Sequence, residues 1–274
     1  MSTAIRLPAV AGKFYPADSR ELRSEVEAFT RPAESASEAK IRALGCVAPH
    51  AGYVYSGGVA GAVYSRLELP SRYVILCPNH TGRGEPLAIM SQGFWRTPLG
   101  DVPVDEGLAS ELKARFSLLS EDEAAHHFEH ALEVQLPFLQ VLQPQFSFVP
   151  ITVGTGHYEV LSALGLAIAS AIREAGEPIL VIASSDMNHY ESDSLTRVKD
   201  RRAIDQILAL EPQGLYDVVR QAHISMCGYG PTVAMLTAAL KLGAVKAELL
   251  RYATSGDVSG DRDMVVGYAG IAVS

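Results

Sequence analysis

Short runs of consecutive apolar residues alternate along the chain with longer segments in which apolar residues recur at helical spacing. Two runs, YVILC and ILVIA, are apolar throughout, which is typical of strands that helices cover on both faces of a sheet. The pattern predicts strands at 43–47, 73–77, 146–153, 179–183, 247–252 and 265–273. It predicts helices at 18–29, 58–67, 105–116, 130–142, 158–175, 193–210, 213–221 and 231–242. We therefore expect an α/β fold with a central, mostly parallel or mixed β-sheet flanked by helices on both faces.

One segment interrupts this alternation near the amino terminus. Residues 31–40 (RPAESASEAK) are polar and rich in small residues, as in a linker. They follow the first predicted helix, for which Asp18 or Ser19 is a suitable N-cap. We expect a single domain over residues 1–274, with the helix and linker of residues 1–40 packing on it. A chain of this length needs no disulfide or structural metal to fold, so a bound metal would serve function.

Composition narrows the class of protein. The chain has 23 Lys and Arg against 31 Asp and Glu, a net charge of −8, and no run of basic residues. Nucleic-acid binding depends on clustered cations, so small molecules or proteins are the expected partners. The three cysteines are widely spaced, and the longest apolar stretch, 161–172, is too short and too interrupted to span a bilayer. We expect a cytoplasmic protein that does not bind membranes.

Histidines follow three of the predicted strands. His50 and His80 lie just after the first two, and His189 follows the ILVIA strand. A single histidine at such a position is more often structural than functional. Ligands of open α/β sheets bind at the carboxyl ends of the strands, and three histidines at one edge would converge there. Imidazole is a common metal ligand and an acid or base matched to neutral pH, so we predict a metal or acid/base site.

The cysteines divide by position. Cys227 precedes a predicted helix with Pro231 near its first turn, where the helix dipole would favour the thiolate. Cys46 and Cys77 lie inside apolar strands, and we interpret them as buried structural residues.

Other catalytic patterns are weak or absent. His126 and His130 formally complete the H-x-x-E-H pattern of inverted zinc peptidases, but the acidic residues before them favour an ordinary helix start. A hydrolase that uses Ser185 and His189 is conceivable, although so short a spacing rarely pairs a nucleophile with its base. The sequence has no G-x-S-x-G elbow, no phosphate-binding P-loop and no complete G-x-G-x-x-G after a strand.

Five ordered motifs together resemble the Memo family, whose bacterial and archaeal members are known as protein B of the AmmeMemoRadiSam system. They are APHAGY at 48–53, PNH at 78–80, EHALE with QLPF at 129–138, SSD at 184–186 with His189, and CG at 227–228. The likeness runs from AGKFYP at 11–16 to the final strand. The family's fold is similar to that of class III extradiol ring-cleaving dioxygenases, which hold Fe(II) with two histidines and a glutamate.

The resemblance implies roles for particular residues. His50 and His80 would be metal ligands, and Cys227 would stand where the dioxygenases have their carboxylate. His189 would fall at the acid/base position, with Asp186 beside it. His130 and Glu133 would support the ligands or hydrogen-bond the substrate. Fe(II) is the first choice of metal, but a thiolate ligand widens the choice to copper or zinc.

The implied function is a metal-dependent oxidoreductase, similar to a dioxygenase, that acts on a small substrate. Its implied partners are a radical S-adenosylmethionine enzyme and an AMMECR-type protein. Two alternatives stay open: a non-catalytic module that binds a peptide or protein in the same cleft, and a zinc-dependent hydrolase.

Overall fold

The computed structural model describes residues 4–31 and 39–274 of the chain. The strands are β1 (Ile5–Arg6), β2 (Gly45–Ala48), β3 (Arg72–Pro78), β4 (Leu87–Ile89), β5 (Phe94–Thr97), β6 (Gly100–Pro103), β7 (Ser120–Glu121), β8 (Ser147–Val153), β9 (Leu180–Ser184), β10 (His189–Glu191), β11 (Ala247–Thr254) and β12 (Val265–Val273). The helices are α1 (Ser19–Thr30), α2 (Tyr53–Arg66), α3 (Glu106–Arg115), α4 (Ala124–His127), α5 (Leu136–Leu142), α6 (Tyr158–Ala175), α7 (Asp193–Leu208), α8 (Pro212–Gln221), α9 (Tyr229–Leu242) and α10 (Gly256–Ser259). Most of the predicted linker, 32–38, lies outside the described residues.

A mixed sheet of nine strands forms the centre of the fold. Its order is β10-β12-β2-β9-β3-β8-β4-β7, and β11 pairs with the outer side of β12. The four central strands β2, β9, β3 and β8 are parallel, whereas β12 runs antiparallel to β2. The strands β1, β5 and β6 form a separate small sheet. The predicted α/β class with a mixed sheet is confirmed.

Helices cover both faces of the large sheet, and the strands contribute to a core on each side. In β3, Val74 and Leu76 belong to the core formed with α3, α6 and α9, whereas Ile75 and Cys77 belong to the core formed with α1, α2 and α5. A strand that is buried on both faces has no polar positions, which explains the uninterrupted apolar runs. Cys46 and Cys77 are fully buried, as predicted.

Two predicted helices differ from the structure. Helix α2 begins at Tyr53 rather than at residue 58. Gly57 lies inside the helix, where it leaves room for the ring of Phe29. The predicted helix 130–142 is a turn, a short 3₁₀ helix at Glu133–Gln135 and then α5. Because the segment is broken, His130 projects from a turn instead of a helix face.

The parallel strands deliver side chains to one edge. His50, His80 and Asp186 each follow the carboxyl end of a neighbouring strand, namely β2, β3 and β9.

Within 4–31 and 39–274, none of the helices has the length and apolar character needed to cross a bilayer.

Candidate metal centre

Three imidazoles come together at the carboxyl edge of the sheet. Each of His50, His80 and His130 offers a ring nitrogen, and these atoms all lie within 4.8 Å of one another. The first two follow strands β2 and β3, and the third comes from the turn between α4 and α5. This group of three histidines can hold a metal ion.

The hydroxyl of Ser184 fixes the tautomer of His50. Its own proton goes to the carbonyl of Ala131 (2.6 Å), and it accepts a hydrogen bond from Gln135 Nε2 (2.8 Å). The hydroxyl must therefore also accept from Nδ1 of His50, which lies 3.0 Å away. Burial lowers the pKa of His50 well below its ordinary value, so the ring is neutral. Nε2 of His50 is left with a lone pair directed into the cleft.

The carboxylate of Glu129 fixes the tautomer of His80 in the same way. Its carboxylate accepts from the backbone N–H of His80 (2.6 Å) and from Nδ1 of the same residue (2.9 Å). Burial opposes the charge of Glu129, but the hydrogen bonds from His80 lower the pKa of this carboxyl to about 2. Burial likewise opposes the charged form of His80, and the bonds to Glu129 outweigh it and raise the pKa of His80. A metal that displaces the Nε2 proton leaves the bond to Glu129 in place.

His130 completes the group. Its Nδ1 lies 3.4 Å from a Glu129 oxygen, and its ring packs edge to face on Phe14 at 4.8 Å. Burial, together with the neighbouring His50, lowers the pKa of His130 to about 4. The imidazole is therefore neutral at physiological pH and available as a ligand.

Cys227 lies next to this group, with Sγ 3.1 Å from Nε2 of His50. It precedes α9 and its cap Gly228, and its thiol faces the Asp186 carbonyl at 3.7 Å. Burial and the nearby Asp186 raise the pKa of the Cys227 thiol, so the expected stabilisation of the thiolate by the helix dipole does not prevail. Asp186 itself accepts from the backbone N–H of His50 at 2.7 Å, and burial raises its pKa.

His189 is the first residue of β10. Its Nδ1 lies 2.9 Å from the carbonyl of Ser225, and its backbone N–H donates to the hydroxyl of the same serine. Ser185 has other partners, because its hydroxyl donates to the Asp186 carbonyl. The structure thus gives no support to a pair of Ser185 and His189.

The donor set fits a transition metal. Neutral imidazoles suit iron, copper and zinc, and a thiol that loses its proton on binding suits the softer of these ions. His50, His80 and His130 would hold the ion, with Cys227 close enough to join them.

Glu133 and His126 are not part of the group of three histidines. The Glu133 carboxylate pairs with Arg6 and accepts from the backbone of Ala9 and Val10 (2.8 and 3.1 Å), which ties it to the amino-terminal segment. His126 binds the hydroxyl of Thr152 through Nδ1 at 2.9 Å and is fully buried. Since α4 ends at His127, the H-x-x-E-H pattern does not place its two histidines on one helix.

Sequence reasoning missed three supporting residues: Glu129, Ser184 and Gln135. Glu129 begins the EHALE motif, in which we instead singled out Glu133. The acidic residue directly before a candidate ligand, His130, was the available signal. Gln135 donates to Ser184 and accepts from Tyr64 within the buried network, a contact that no spacing reveals.

Comparisons with known proteins match one family over nearly the whole chain. The model of the family described as Memo-like protein matches residues 6–272. A MEMO1 family protein of Methanothermobacter thermautotrophicus is 45% identical over 276 residues, covering 97% of this chain and 99% of its own. One from Methanosarcina mazei is 46% identical over 270 residues, covering 98% and 99%. An uncharacterized protein from Escherichia coli K12 has a similar fold, with a TM-score of 0.50 and 13% identity over 84% of this chain and 100% of that one.

Proposed function

This chain belongs to the Memo family, and on that premise we propose that it is a metal-dependent oxidoreductase, similar to a dioxygenase, that acts on a small substrate. The observation that carries the proposal is the convergence of His50, His80 and His130 within 4.8 Å at the carboxyl edge of the sheet. Two of these rings are neutral because burial lowers the pKa of His50 and His130. Neutral, convergent imidazoles favour a metal ligand role over a structural one.

Fe(II) is the metal we propose first, because imidazole ligands with open positions suit activation of oxygen. Copper is the main rival and zinc the third choice, since the adjacent Cys227 thiol favours softer ions. The bound metal would supply redox and Lewis-acid chemistry to the substrate. With zinc, the same centre would serve the alternative function, a hydrolase.

The chain's own residues would orient the substrate and move a proton. Nδ1 of His189 is engaged by the Ser225 carbonyl, so Nε2 is the nitrogen available as a base. Asp186 is buried next to His50 and would hold a proton more readily than an exposed carboxyl, because burial raises its pKa.

Metal analysis tests the proposal directly. We expect protein purified without added metal, then loaded with Fe(II), Cu(I) or Zn(II), to hold one ion per chain. His50→Ala, His130→Ala and Cys227→Ser should each reduce the bound metal. His157→Ala, which changes an exposed histidine, should bind as the wild type does. Equal metal content in all of these proteins would contradict the proposal.

Activity is tested by oxygen uptake with catechols after loading with Fe(II). We expect uptake in the wild type and its loss in His50→Ala. An absence of uptake with every metal would remove the dioxygenase-like reading while leaving the metal site itself intact.

A second candidate function is a non-catalytic module that binds a peptide or protein. It is favoured by exposed apolar side chains that are close in sequence to the site residues: Val54 at the start of α2 (63% exposed) and Tyr190 after His189 (69% exposed). Tight binding of a tyrosine-bearing peptide without turnover would support it, and Tyr190→Ser should then weaken binding.

We further propose a radical S-adenosylmethionine enzyme and an AMMECR-type protein as partners, to be tested by copurification from the native cell.

A further inference from the structure

Asn188 is a fully buried asparagine on the loop between β9 and β10, and its side-chain amide has a partner for every group. Its Oδ1 accepts from both the backbone N–H and the hydroxyl of Ser225, each at 3.1 Å. Its Nδ2 donates to Glu191 (2.7 Å) and to Thr196 (3.3 Å). Because a backbone N–H can only donate, the Ser225 contact fixes which way the amide points.

The backbone of Asn188 is anchored as well. Its N–H donates to Asp200 Oδ1 at 2.8 Å, and its carbonyl accepts from the N–H of Gly267 at 2.9 Å. Asp200 is buried, and its other oxygen accepts from the Tyr252 hydroxyl at 2.7 Å. A Cβ on Gly267 would lie 1.8 Å from Asp200 Oδ2, so glycine is required for this close approach. The amide is therefore held in one position by contacts that do not involve the cleft.

The partner of that amide, Ser225, is also the partner of His189. The Ser225 hydroxyl accepts from the N–H of His189 at 2.8 Å, and the Ser225 carbonyl lies 2.9 Å from Nδ1 of the ring. A carbonyl only accepts, so Nδ1 carries the proton and Nε2 keeps its lone pair. The next residue, Tyr190, has φ of 60°, a conformation that L-residues rarely adopt. Local preference alone would not hold the chain in this arrangement.

We propose that Asn188 is a positioning residue that holds Ser225 where its carbonyl selects the Nδ1–H tautomer of His189. Nε2 of His189 is thereby left to accept a proton from a substrate at the metal centre. Ser225 also lies two residues before Cys227, so the same contact fixes the segment that carries the thiol. The role of His189 as a proton acceptor rests on the proposed function. The Nδ1–H tautomer itself is a property of the metal-free protein.

Side-chain nitrogen NMR of the full chain, labelled with ¹⁵N-histidine and free of metal, tests the proposal. The ring signals of His189 are assigned by their loss in His189→Gln. We expect the wild type to show the Nδ1–H tautomer at a pH where the ring is neutral. In Asn188→Ala we expect a shift toward Nε2–H, the form that histidine prefers in water. The amide N–H of Ser225 should exchange about tenfold faster, because it loses its acceptor.

Two further variants separate positioning from general loss of stability. Asn188→Asp combined with Glu191→Gln keeps an acceptor for Ser225 and reverses the hydrogen bond to position 191, so that no two carboxylates meet, and this double variant should retain the Nδ1–H tautomer. Leu112→Ala removes buried apolar contacts from α3 and should lower stability without altering the His189 ring signals.

An Nε2–H ring in the wild type would overturn the proposal even if Asn188→Ala did not fold. An unchanged ring in a folded Asn188→Ala would also overturn it. Failure of the proposed function is recognised separately, because it appears in the metal content and leaves the tautomer of the metal-free protein unaffected.

Discussion

The cleft has two walls that are built differently. The imidazole wall carries His50 and His80 directly after parallel strands of the sheet. The thiol wall carries His189 at the start of the short strand β10 and Cys227 on the loop before α9. On the imidazole wall the supporting groups are side chains, a hydroxyl and a carboxylate, and both are fully buried. On the thiol wall the His189 ring is held by a main-chain carbonyl, and the ring is partly exposed.

This difference separates a rigid part of the site, the imidazole wall, from a part that is accessible to water, the thiol wall. Side chains that follow neighbouring parallel strands inherit the fixed spacing of the sheet, which suits the demands of metal coordination. A ring held from a loop depends on a few hydrogen bonds and stays in contact with water, which suits exchange of protons with substrate and solvent. The imidazole wall should therefore control metal affinity, and the thiol wall should control protonation.

The strongest test of this comparison is Glu129→Gln on the imidazole wall. The change removes the charge that binds both the N–H and the Nδ1 of His80. We expect metal affinity to fall about 10–100-fold, and the free energy of unfolding, measured in urea, to fall by about 1–3 kcal/mol.

The matched control is Glu133→Gln, four residues away. Glu133 is equally buried, but it pairs with Arg6 instead of an imidazole. We expect a loss of stability at least as large, because the variant leaves Arg6 buried without its carboxylate, and an unchanged metal affinity. Equal loss of affinity in the two variants would break the assignment of Glu129 to the metal.

Behind the thiol wall, at the Asp200 carboxylate that anchors the Asn188 backbone, the largest effect should be a change in the pH dependence of stability. Burial raises the pKa of Asp200 from 3.8 to about 7. The folded state therefore binds more protons than the unfolded state between these values, and this carboxyl destabilises the fold as pH rises through the window. Asp200→Asn removes the effect, so the variant should gain about 3 kcal/mol relative to the wild type between about pH 5 and pH 8.

Urea unfolding at the two pH values measures that gain. His126 acts in the opposite sense, because burial lowers its pKa to about 4 and its contribution to stability is lost as pH falls from 6.5. Its contribution is common to both proteins and cancels in the difference. A difference between variant and wild type that does not vary with pH would contradict the prediction.

A smaller effect is expected from Ser184→Ala, which removes the acceptor for Nδ1 of His50. The ring can then adopt either tautomer, so we expect metal affinity to fall about tenfold and stability to fall by about 1–2 kcal/mol. Thr237→Val, which removes a buried hydroxyl from α9, should lower stability alone. Equal metal affinity in the two variants would contradict the proposal that the imidazole wall controls metal affinity.

The smallest effect is expected at the rim. Arg83, on the loop that follows His80, lies with its guanidinium 4.8 Å from the Phe128 ring. The pair is exposed, so Arg83→Ala should cost about 0.5–1 kcal/mol. Isothermal titration should show unchanged metal affinity, and a clear loss of affinity would extend the imidazole wall to this loop.

Much of the fold follows from the sequence because its signals are local. Helix α6 has the predicted bounds, since its long apolar stripe meets a well-defined start and a terminal glycine. The central strands lie within two residues of prediction at their starts, because runs buried on both faces are easily recognised. Strands β4 to β7 were not predicted, as none exceeds four residues.

The site was predictable in part, for the same reason. Their position after predicted strands identified His50 and His80 as candidate ligands, and the structure places His130 in the same group. The choice between Glu129 and Glu133 depends on a turn and a 3₁₀ helix, whose geometry has no simple period in the sequence. Ser225 holds His189 through its carbonyl, a group that every residue possesses, so sequence patterns give no indication of it.

The placement of β2 in the sheet has a consequence for biosynthesis. This strand, which precedes His50, lies between β9 and β12, and both are synthesised well over a hundred residues later. Contacts of such long range form slowly and late in folding. Until β9 has been made β2 therefore has neither of its neighbours, and until residue 227 has been made no thiol can stand beside His50. The sheet around His50 cannot be completed before β12 is made, so we expect stable metal binding only after residues 265–273 have been synthesised.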